Sequence, residues 1–354
     1  MAGSRGYRGK VLAQRVATGF VALLVLVVAT ISSTETAQAA GGSAYVVIEV
    51  ETKRVMAASN VNQKLPMAST TKIATAITVL ERANLDEVVT VPKEALVEGS
   101  SIYLKAGEKW TVRDLLYGLM LRSGNDAAMA LALHVGGSVG GFALMMNHTA
   151  YRAGAYHTHF VNPHGLHDED HYTTAYDLAA ITAYAMHNPT FAEIVATKSY
   201  AYTHPDGSKQ VFVNKNKMLS AYPGADGVKT GYTTVAGRCL VSSATREGMH
   251  LVAVVLNIHD MWQTSCRLLD TAFATYRDVV LWQADEVKLV PYGGGKIPAK
   301  TRTTLRYPLS EEEMGRLKYE YHLDGFYRDP SAPMGEVLIR LDDAVVARSS
   351  LYAA

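Results

Sequence analysis

The sequence has no long block of one charge and no marked excess of glycine or proline. Its 34 lysines and arginines nearly balance 33 aspartates and glutamates over 354 residues. The absence of a basic block argues against a nucleic-acid partner, and the absence of an acidic tail argues against a disordered chain. No internal repeat is visible, which excludes a solenoid. With 48% hydrophobic residues, a chain of this length can bury a large core, and we expect two domains.

Long hydrophobic runs are absent except near the start of the chain, where residues 16–31 are mostly apolar. Basic side chains precede this run, and Ala37-Gln38-Ala39 follows it after a short polar stretch. This layout predicts a secretory signal peptide over residues 1–39 with an A-x-A cleavage site. The alternative is a single membrane-spanning anchor, for which the run is short. We therefore expect an exported protein, secreted or associated with the cell wall or cell surface, with no strong membrane anchor in the mature chain.

Cysteine is scarce, and the only two are Cys239 and Cys266. An exported chain could pair them in a disulfide. Cys239 lies in a predicted apolar strand and Cys266 precedes a predicted helix, which favours two separately buried thiols. Neither has a neighbouring histidine pattern that would indicate a cysteine nucleophile.

The apolar pattern beyond the leader changes from mixed helix and strand to strand alone. Residues 40–280 begin with a predicted strand at Tyr45–Glu49, continue through several helices, and return to strands. Helices with a buried stripe are predicted after Ser69 and after Thr111, a good N-cap. This order predicts an α+β domain whose mostly antiparallel sheet carries helices on its faces. Residues 281–354 show only short strand patterns, which predict a small C-terminal all-β domain.

Ser69-Thr70-Thr71-Lys72 is the strongest local signal for chemistry. Positions i and i+3 share a face of a helix, so Lys72 is placed beside the Ser69 hydroxyl. A serine needs a neighbour to remove its proton, and a lysine with a lowered pKa can do this. Ser69 also begins the helix, where free N–H groups favour negative charge. Alone, the motif is a weak signal, because an N-cap serine followed by a solvated lysine gives the same pattern and is the more common case.

Two further segments complete a known signature. Ser123-Gly124-Asn125 stands between two predicted helices and alone resembles a helix-capping turn. Lys229-Thr230-Gly231 lies in the first strand after the helices and alone resembles a polar patch on an edge strand. In this order, on helix, loop and strand, the three segments match the S-x-x-K, S-x-N and K-T-G motifs of penicillin-recognising serine enzymes.

Longer stretches around these motifs resemble one family. Residues 44–280 are similar to the peptidase domain of the D-alanyl-D-alanine carboxypeptidases, the low-molecular-mass penicillin-binding proteins. The resemblance implies a β-lactamase/transpeptidase-like fold, and residues 281–354 resemble the small β domain of that family less specifically. The matching stretches are residues 66–72, 121–127, 162–166, 227–233 and 236–238.

The resemblance implies a role for each matching residue. Ser69 would form the acyl-enzyme, Lys72 would accept its proton, and Ser123 would relay a proton to the leaving amine. Asn125 would hold the substrate amide. The strand would bind substrate through Lys229, Thr230 and Gly231, its lysine charge helping to keep Lys72 neutral. The backbone N–H groups of Ser69 and Tyr232 would form the oxyanion hole.

One departure from the family concerns the substrate carboxylate. Many relatives carry an arginine that assists carboxylate binding where Met261-Trp262 stands here, so Arg238 or Lys229 is expected to take over that role. The usual membrane-binding tail is also missing. The implied substrate is a peptidoglycan stem peptide ending in D-Ala-D-Ala, β-lactams are implied covalent inhibitors, and no cofactor or metal is implied.

Three alternatives stay open at this point. A β-lactamase would share Ser69 and Lys72, but the E-x-x-x-N pattern of the class A enzymes is absent between Ser123 and Lys229. A zinc peptidase would need ligands, and no H-E-x-x-H helix is present. A non-catalytic wall-binding module on the same fold would need neither Ser69 nor Lys72. The histidines that prompt the zinc alternative are His157, His159, His164, His167 and His171.

Overall fold

The computed structural model describes residues 42–204, 207–324 and 331–354, so the predicted signal peptide at residues 1–39 lies outside the described residues. In chain order the strands are β1 (Ala44–Glu49), β2 (Val55–Ser59), β3 (Val88–Thr90), β4 (Lys109–Thr111), β5 (Ser199–Thr203), β6 (Lys209–Val213), β7 (Ala225–Thr233), β8 (Gly237–Arg246), β9 (Met249–Leu256), β10 (Tyr276–Trp282), β11 (Lys288–Tyr292), β12 (Gly295–Lys300), β13 (Leu305–Ser310), β14 (Leu317–Leu323), β15 (Pro333–Leu341) and β16 (Ala344–Ala353). The helices are α1 (Lys72–Leu80), α2 (Val112–Arg122), α3 (Asn125–Gly136), α4 (Val139–Ala153), α5 (Ala175–Met186), α6 (Pro189–Ala196), α7 (Met218–Ala221), α8 (Met261–Thr275) and α9 (Glu311–Met314). Short 3-10 turns cover Ala68–Thr71 and Lys93–Ala95.

A five-stranded antiparallel sheet in the order β2-β1-β9-β8-β7 forms the centre of the larger domain. Successive side chains of a strand point to opposite faces, and both faces of β1 and β9 are buried here. Val46 and Val254 contribute to the core shared with most of the helices, whereas Val47 and Val255 contribute to a second core with α8. The predicted α+β architecture is confirmed.

Strand β7 lies at one end of the sheet order, so its outer edge is not paired with another strand of that sheet. The 3-10 turn Ala68–Thr71 packs against β7, close enough that a Cβ on Gly231 would lie 3.1 Å from the Ser69 nitrogen. The sheet therefore brings the Lys-Thr-Gly segment beside the predicted nucleophile.

Helix α1 is the central helix of the larger domain, and its residues from Lys72 to Val79 are buried. Polar caps start the helices around it: the Thr111 side chain accepts from the Asp114 N–H, and the Thr174 side chain accepts from the Asp177 N–H. Within the described residues, no single helix has the length and hydropathy of a membrane span. Helices α3 and α4 together pass that test, but they meet at a bend of 88°.

The C-terminal part of the chain has a hydrophobic cluster of its own. Strands β11-β12-β16-β15-β14 form a five-stranded sheet, and β10 pairs with β13. Trp282, Leu309 and Val337 are fully buried in the cluster. The predicted small β domain is confirmed, with one helical turn, α9, inside it. The predicted boundary at residue 280 stays a prediction; β10, which begins at Tyr276 directly after α8, runs across it.

Both cysteines are free. Cys239 is buried, as expected, but Cys266 is only partly buried, and its sulfur lies 3.7 Å from that of Met218. The preference for separate thiols over a disulfide is confirmed.

Candidate active site

Ser69 lies in the 3-10 turn that leads into α1, and the turn holds an unusual backbone conformation. Ala68, directly before it, has a φ of 49°, which costs energy for a residue with a Cβ and occurs mostly at functional sites. The Thr71 hydroxyl donates to the Ala68 carbonyl at 2.8 Å and holds that conformation. Gly165 packs against the same carbonyl; with a φ of 87°, it leaves no room for a Cβ, which would lie 1.9 Å from the Ala68 oxygen.

Lys72 is fully buried, and its amine touches three oxygen atoms. Its Nζ lies 3.1 Å from Ser69 Oγ, 2.7 Å from Asn125 Oδ1 and 2.6 Å from the His164 carbonyl oxygen. Asn125 Nδ2 donates to the Glu98 carbonyl at 2.7 Å, which turns Oδ1 toward the lysine. Two of the three neighbours can therefore only accept hydrogen bonds.

The charge environment favours the neutral form of this amine. Burial lowers the pKa of Lys72 well below its usual value, and the positive charges of Lys229 and Lys215 lower it further. A neutral amine has two N–H groups and one lone pair. If the two N–H groups serve Asn125 and His164, the lone pair faces the Ser69 hydroxyl, which is the geometry of a general base.

Ser123 and Asn125 occupy the short link between α2 and α3. Ser123 is buried, has a φ of 66° and caps α2 through its N–H, which donates to the Gly118 carbonyl. The Asn125 N–H donates to the Ser100 carbonyl at 2.7 Å. Both polar atoms of the Asn125 side-chain amide, Oδ1 and Nδ2, are hydrogen-bonded within the protein. The predicted contact of Asn125 with a substrate amide therefore stays a prediction.

The third motif lies on β7. Lys229 is buried, and its Nζ donates to the Thr230 carbonyl at 2.9 Å. Burial, followed by the charge of Lys215, lowers the pKa of Lys229 to about 7. Gly231 approaches the nucleophile turn as described above, which places the backbone of β7 next to the Ser69 N–H. The backbone N–H of Tyr232 is the predicted second donor of the oxyanion hole.

These elements enclose a cleft of about 290 Å³. Arg238 is not among its lining residues; the guanidinium group of Arg238 donates to the His259 carbonyl at 3.4 Å. Four lining residues, Ser100, Lys215, Met261 and Trp262, do not belong to any motif found in the sequence, and of these Ser100 and Lys215 were not singled out there. The sequence feature that could have pointed to Lys215 is the polar run Asn-Lys-Asn-Lys between a strand and a helix. By itself this run resembles an ordinary loop. The lining residues are Ser69, Ser100, Ser123, Lys215, Thr230, Gly231, Tyr232, Met261 and Trp262.

The histidine-rich loop, residues 157–171, contacts the nucleophile turn through His171. The Val161 N–H donates to His171 Nδ1 at 3.2 Å, so Nε2 carries the proton and donates to the Thr71 hydroxyl oxygen at 2.8 Å. Burial lowers the pKa of His171 to about 4 and that of His164 to about 3. Across the described ranges, no group of three or more His, Cys, Asp or Glu residues is arranged to hold a metal ion.

We expect His171→Gln to weaken the loss of stability in acid. Because burial lowers the folded-state pKa of His171 to about 4, the unfolded chain binds a proton first as the pH falls below about 6.5. The contribution of neutral His171 to the free energy of unfolding is therefore complete above pH 6.5. It is lost as the pH falls toward 4, and the loss is on the order of 3 kcal/mol. Urea unfolding at pH 7 and pH 4.5 measures this loss in the wild type and the variant. The exposed His259 provides the control, since His259→Gln should keep the wild-type loss; an equal loss in all three proteins would contradict the prediction.

A serine that faces a buried lysine of lowered pKa, in a domain whose antiparallel sheet is covered by helices, defines a serine hydrolase of the penicillin-recognising type. The family model described as D-alanyl-D-alanine carboxypeptidase matches residues 30–260. The chain therefore belongs to the D-alanyl-D-alanine carboxypeptidase family, as the motifs indicated.

Curated relatives and solved structures agree with this placement. The chain is 32% identical to the D-alanyl-D-alanine carboxypeptidase DacF of Bacillus subtilis, covering 87% of this chain and 84% of that protein. It is 36% identical to DacB2 of Mycobacterium tuberculosis, covering 65% of this chain and 81% of that protein. Penicillin binding protein 5 from Haemophilus influenzae superposes with a TM-score of 0.72 at 28% identity, covering 87% of this chain and 95% of the other. Penicillin binding protein 6B from Escherichia coli gives 0.69 at 30% identity, covering 88% and 95%.

Proposed function

We propose that this protein removes the terminal D-alanine from peptidoglycan stem peptides through an acyl-enzyme on Ser69, and that β-lactams acylate the same serine. The observation that carries the proposal is the environment of Lys72. Its Nζ lies 3.1 Å from Ser69 Oγ, and its other two neighbours are acceptors that occupy its N–H groups. Family membership supplies the substrate class.

The proposed reaction assigns one step to each of these groups. Ser69 Oγ attacks the carbonyl carbon of the penultimate D-alanine while its proton moves to the Lys72 nitrogen. The backbone N–H groups of Ser69 and Tyr232 stabilise the oxyanion of the tetrahedral intermediate. Ser123 then relays the proton from Lys72 to the leaving amine, the C–N bond breaks, and free D-alanine departs. Water hydrolyses the ester by the reverse sequence of proton transfers.

The open edge of β7 provides a way to align the peptide. Because this edge is unpaired within its sheet, an extended stem peptide can add to it as a further strand. Thr230, Gly231 and Tyr232 line the cleft along that edge. Such pairing would hold the scissile bond opposite Ser69.

Action on the cell wall requires export. The leader pattern at residues 1–39 supports secretion and action outside the cytoplasm. We further propose that residues 40–280 form the catalytic domain and residues 281–354 form a domain without a direct part in the chemistry, since the described residues that line the cleft all lie between 69 and 262.

Two measurements test the proposed function. The protein should release D-alanine from diacetyl-L-Lys-D-Ala-D-Ala, and this release should survive a metal chelator. After treatment with penicillin, mass spectrometry should locate one adduct at Ser69 rather than at Ser100 or Ser123. Rapid turnover of penicillin would favour a β-lactamase, loss of activity to the chelator would favour a zinc peptidase, and a folded protein without either reaction would favour a binding module.

A further inference from the structure

Trp262 lines two cavities, the active-site cleft and a larger groove of about 530 Å³. Side chains from residues 217–221, at helix α7, and from residues 262–267, on helix α8, line this second cavity, which we call the α7–α8 groove. Its volume lies in the range of small-molecule binding sites. Among the described residues that line the groove, none belongs to a catalytic motif. The reaction at Ser69 therefore does not account for it.

The lining of the groove is mainly apolar. Met218 and Ala221 line it from α7, and Trp262 and Cys266 line it from α8. The sulfur atoms of Met218 and Cys266 lie 3.7 Å apart, which joins the two helices. Burial raises the pKa of the Cys266 thiol, so the thiol stays uncharged at neutral pH and acts as a small apolar group. An alkyl chain would lose its contact with water against these side chains.

The charged side chains that line the groove are both cations, Lys217 and Arg267, and both are exposed. The Arg267 guanidinium group donates to Thr264 Oγ1 at 3.1 Å within its own helix. Within the described part of the chain, neither cation forms an ion pair. Asp270, the next carboxylate along α8, already pairs with Arg246 at 3.3 Å. The charge of the groove therefore complements an anionic ligand.

The two helices offer few hydrogen-bonding partners to a peptide. Their backbone groups are used within the helices; for example, the Tyr222 N–H donates to the Met218 carbonyl and the Thr264 N–H to the Asp260 carbonyl, each at 2.9 Å. Among the described lining residues, Gln263 is the only one with an amide or hydroxyl side chain. A bound peptide would leave most of its own N–H and C=O groups unpaired, which is costly. An alkyl chain has no such groups.

We propose that the α7–α8 groove binds a single-chain anionic amphiphile of the free fatty acid class. The alkyl chain lies against the apolar side chains of both helices, and the carboxylate lies between Lys217 and Arg267. A concave site of this kind takes up one chain, whereas docking on a membrane surface needs apolar side chains that project from the protein. The inference does not rest on the proposed function, so binding should persist in Ser69→Ala.

The test titrates the protein with octanoate, decanoate and dodecanoate, each below the concentration at which it forms micelles. Isothermal titration calorimetry gives the Kd, which should fall roughly tenfold for each two methylene groups added. Dodecanol, which lacks the charge, should bind several-fold to about tenfold more weakly than dodecanoate. Tryptophan fluorescence locates the ligand, because Trp262 is partly exposed whereas Trp110 and Trp282 are buried. Dodecanoate should therefore change the emission of Trp262.

Matched variants separate the groove from the rest of the surface. Ala221→Glu places a carboxylate in the groove, and Ser220→Glu adds the same charge one residue away, outside the lining; both positions are exposed, so both variants should fold. Ala221→Glu should weaken dodecanoate binding by roughly tenfold or more, since it adds a repelling charge and fills apolar space. Ser220→Glu should keep nearly the wild-type Kd. Replacing Lys217 and Arg267 together by Met should reduce the affinity for dodecanoate to that for dodecanol.

Several results would overturn the proposal. They are an absence of dodecanoate binding in the wild type, equal affinity for dodecanol, or a Kd unchanged by Ala221→Glu. Displacement of dodecanoate by penicillin attached to Ser69 would place the ligand in the cleft instead. Binding to vesicles of anionic lipid without binding of free dodecanoate would indicate a membrane surface, and a dimer abolished by Ala221→Glu but not by Ser220→Glu would indicate a second copy of the chain.

Discussion

Lys72→Met is expected to slow acylation of Ser69 by penicillin by roughly a hundredfold to ten-thousandfold, the range of general base catalysis. Among the residues that the structure describes, the Lys72 amine is the group within hydrogen-bonding distance of Ser69 Oγ, and the two carbonyl-type oxygens around that amine cannot accept the proton. None of these described neighbours can therefore replace Lys72 as the base. Methionine has a similar shape and no titratable group. The variant should therefore still bind ligands in the cleft but react slowly.

A fluorescent penicillin measures the acylation rate, and Ser69→Ala defines zero reaction. The loss of an amine also leaves Asn125 Oδ1 and the His164 carbonyl without their donor, which costs about 1–3 kcal/mol each when buried. The thermal unfolding of the variant must therefore be measured in parallel, and the rate must be determined well below its Tm. A rate within a factor of a few of the wild type would contradict the assignment of Lys72 as the base.

The site could be predicted in part because some of its geometry is local. The spacing of Ser69 and Lys72 places them on one face of the helical turn that leads into α1. Asn125, by contrast, meets the same amine from another helix, and the His164 carbonyl meets it from a loop 92 residues away. Only the fold could show that these two acceptors occupy the N–H groups of the lysine. The position of Lys215 in the cleft left no local signal for the same reason, since its backbone N–H donates to Leu121 and its side chain lies near Ser100.

The secondary structure, too, could be predicted where its cause is local and not where it depends on distant parts of the chain. The buried strands β8 and β9 and the helix α1 were predicted from continuous or periodic apolar residues. Helix α4 was missed, since Gly140 and Gly141 stand in its first turn and the Ser138 cap must offset their low helix propensity. Helix α8 ends at Thr275, and β10 begins at Tyr276 because that strand pairs with β13, a partner more than 20 residues later in the chain. Long-range pairing of this kind leaves no local signal.

Lys229→Met is expected to stabilise the protein while it reduces the rate of acylation by roughly a hundredfold, a loss comparable to that of one electrostatic group in an active site. Burial lowers the pKa of Lys229 from 10.5 to about 7, so placing this amine in the fold costs on the order of 4 kcal/mol at neutral pH. Methionine loses only the hydrogen bond to the Thr230 carbonyl, about 1 kcal/mol. A net gain of about 3 kcal/mol should raise the Tm by several degrees.

The sign of the pH dependence identifies the cause. A lysine whose folded-state pKa is lowered releases its proton on folding between about pH 7 and pH 10.5, so the wild type gains stability as the pH rises through this range. The advantage of the variant should be complete at and below pH 7 and should vanish toward pH 10.5. Lys217→Met, at an exposed position, should show no such trend.

The same substitution should move the acid limb of the acylation rate to higher pH. The charge of Lys229 is the second largest cause, after burial, of the lowered pKa of Lys72, so its removal lets Lys72 hold its proton to higher pH. A variant that is more stable, slower, and shifted in this direction would show that the buried positive charge is kept for catalysis at a cost in stability. A less stable variant, or an acid limb that stays in place, would mean that Lys229 serves mainly to pack β7 against the nucleophile turn.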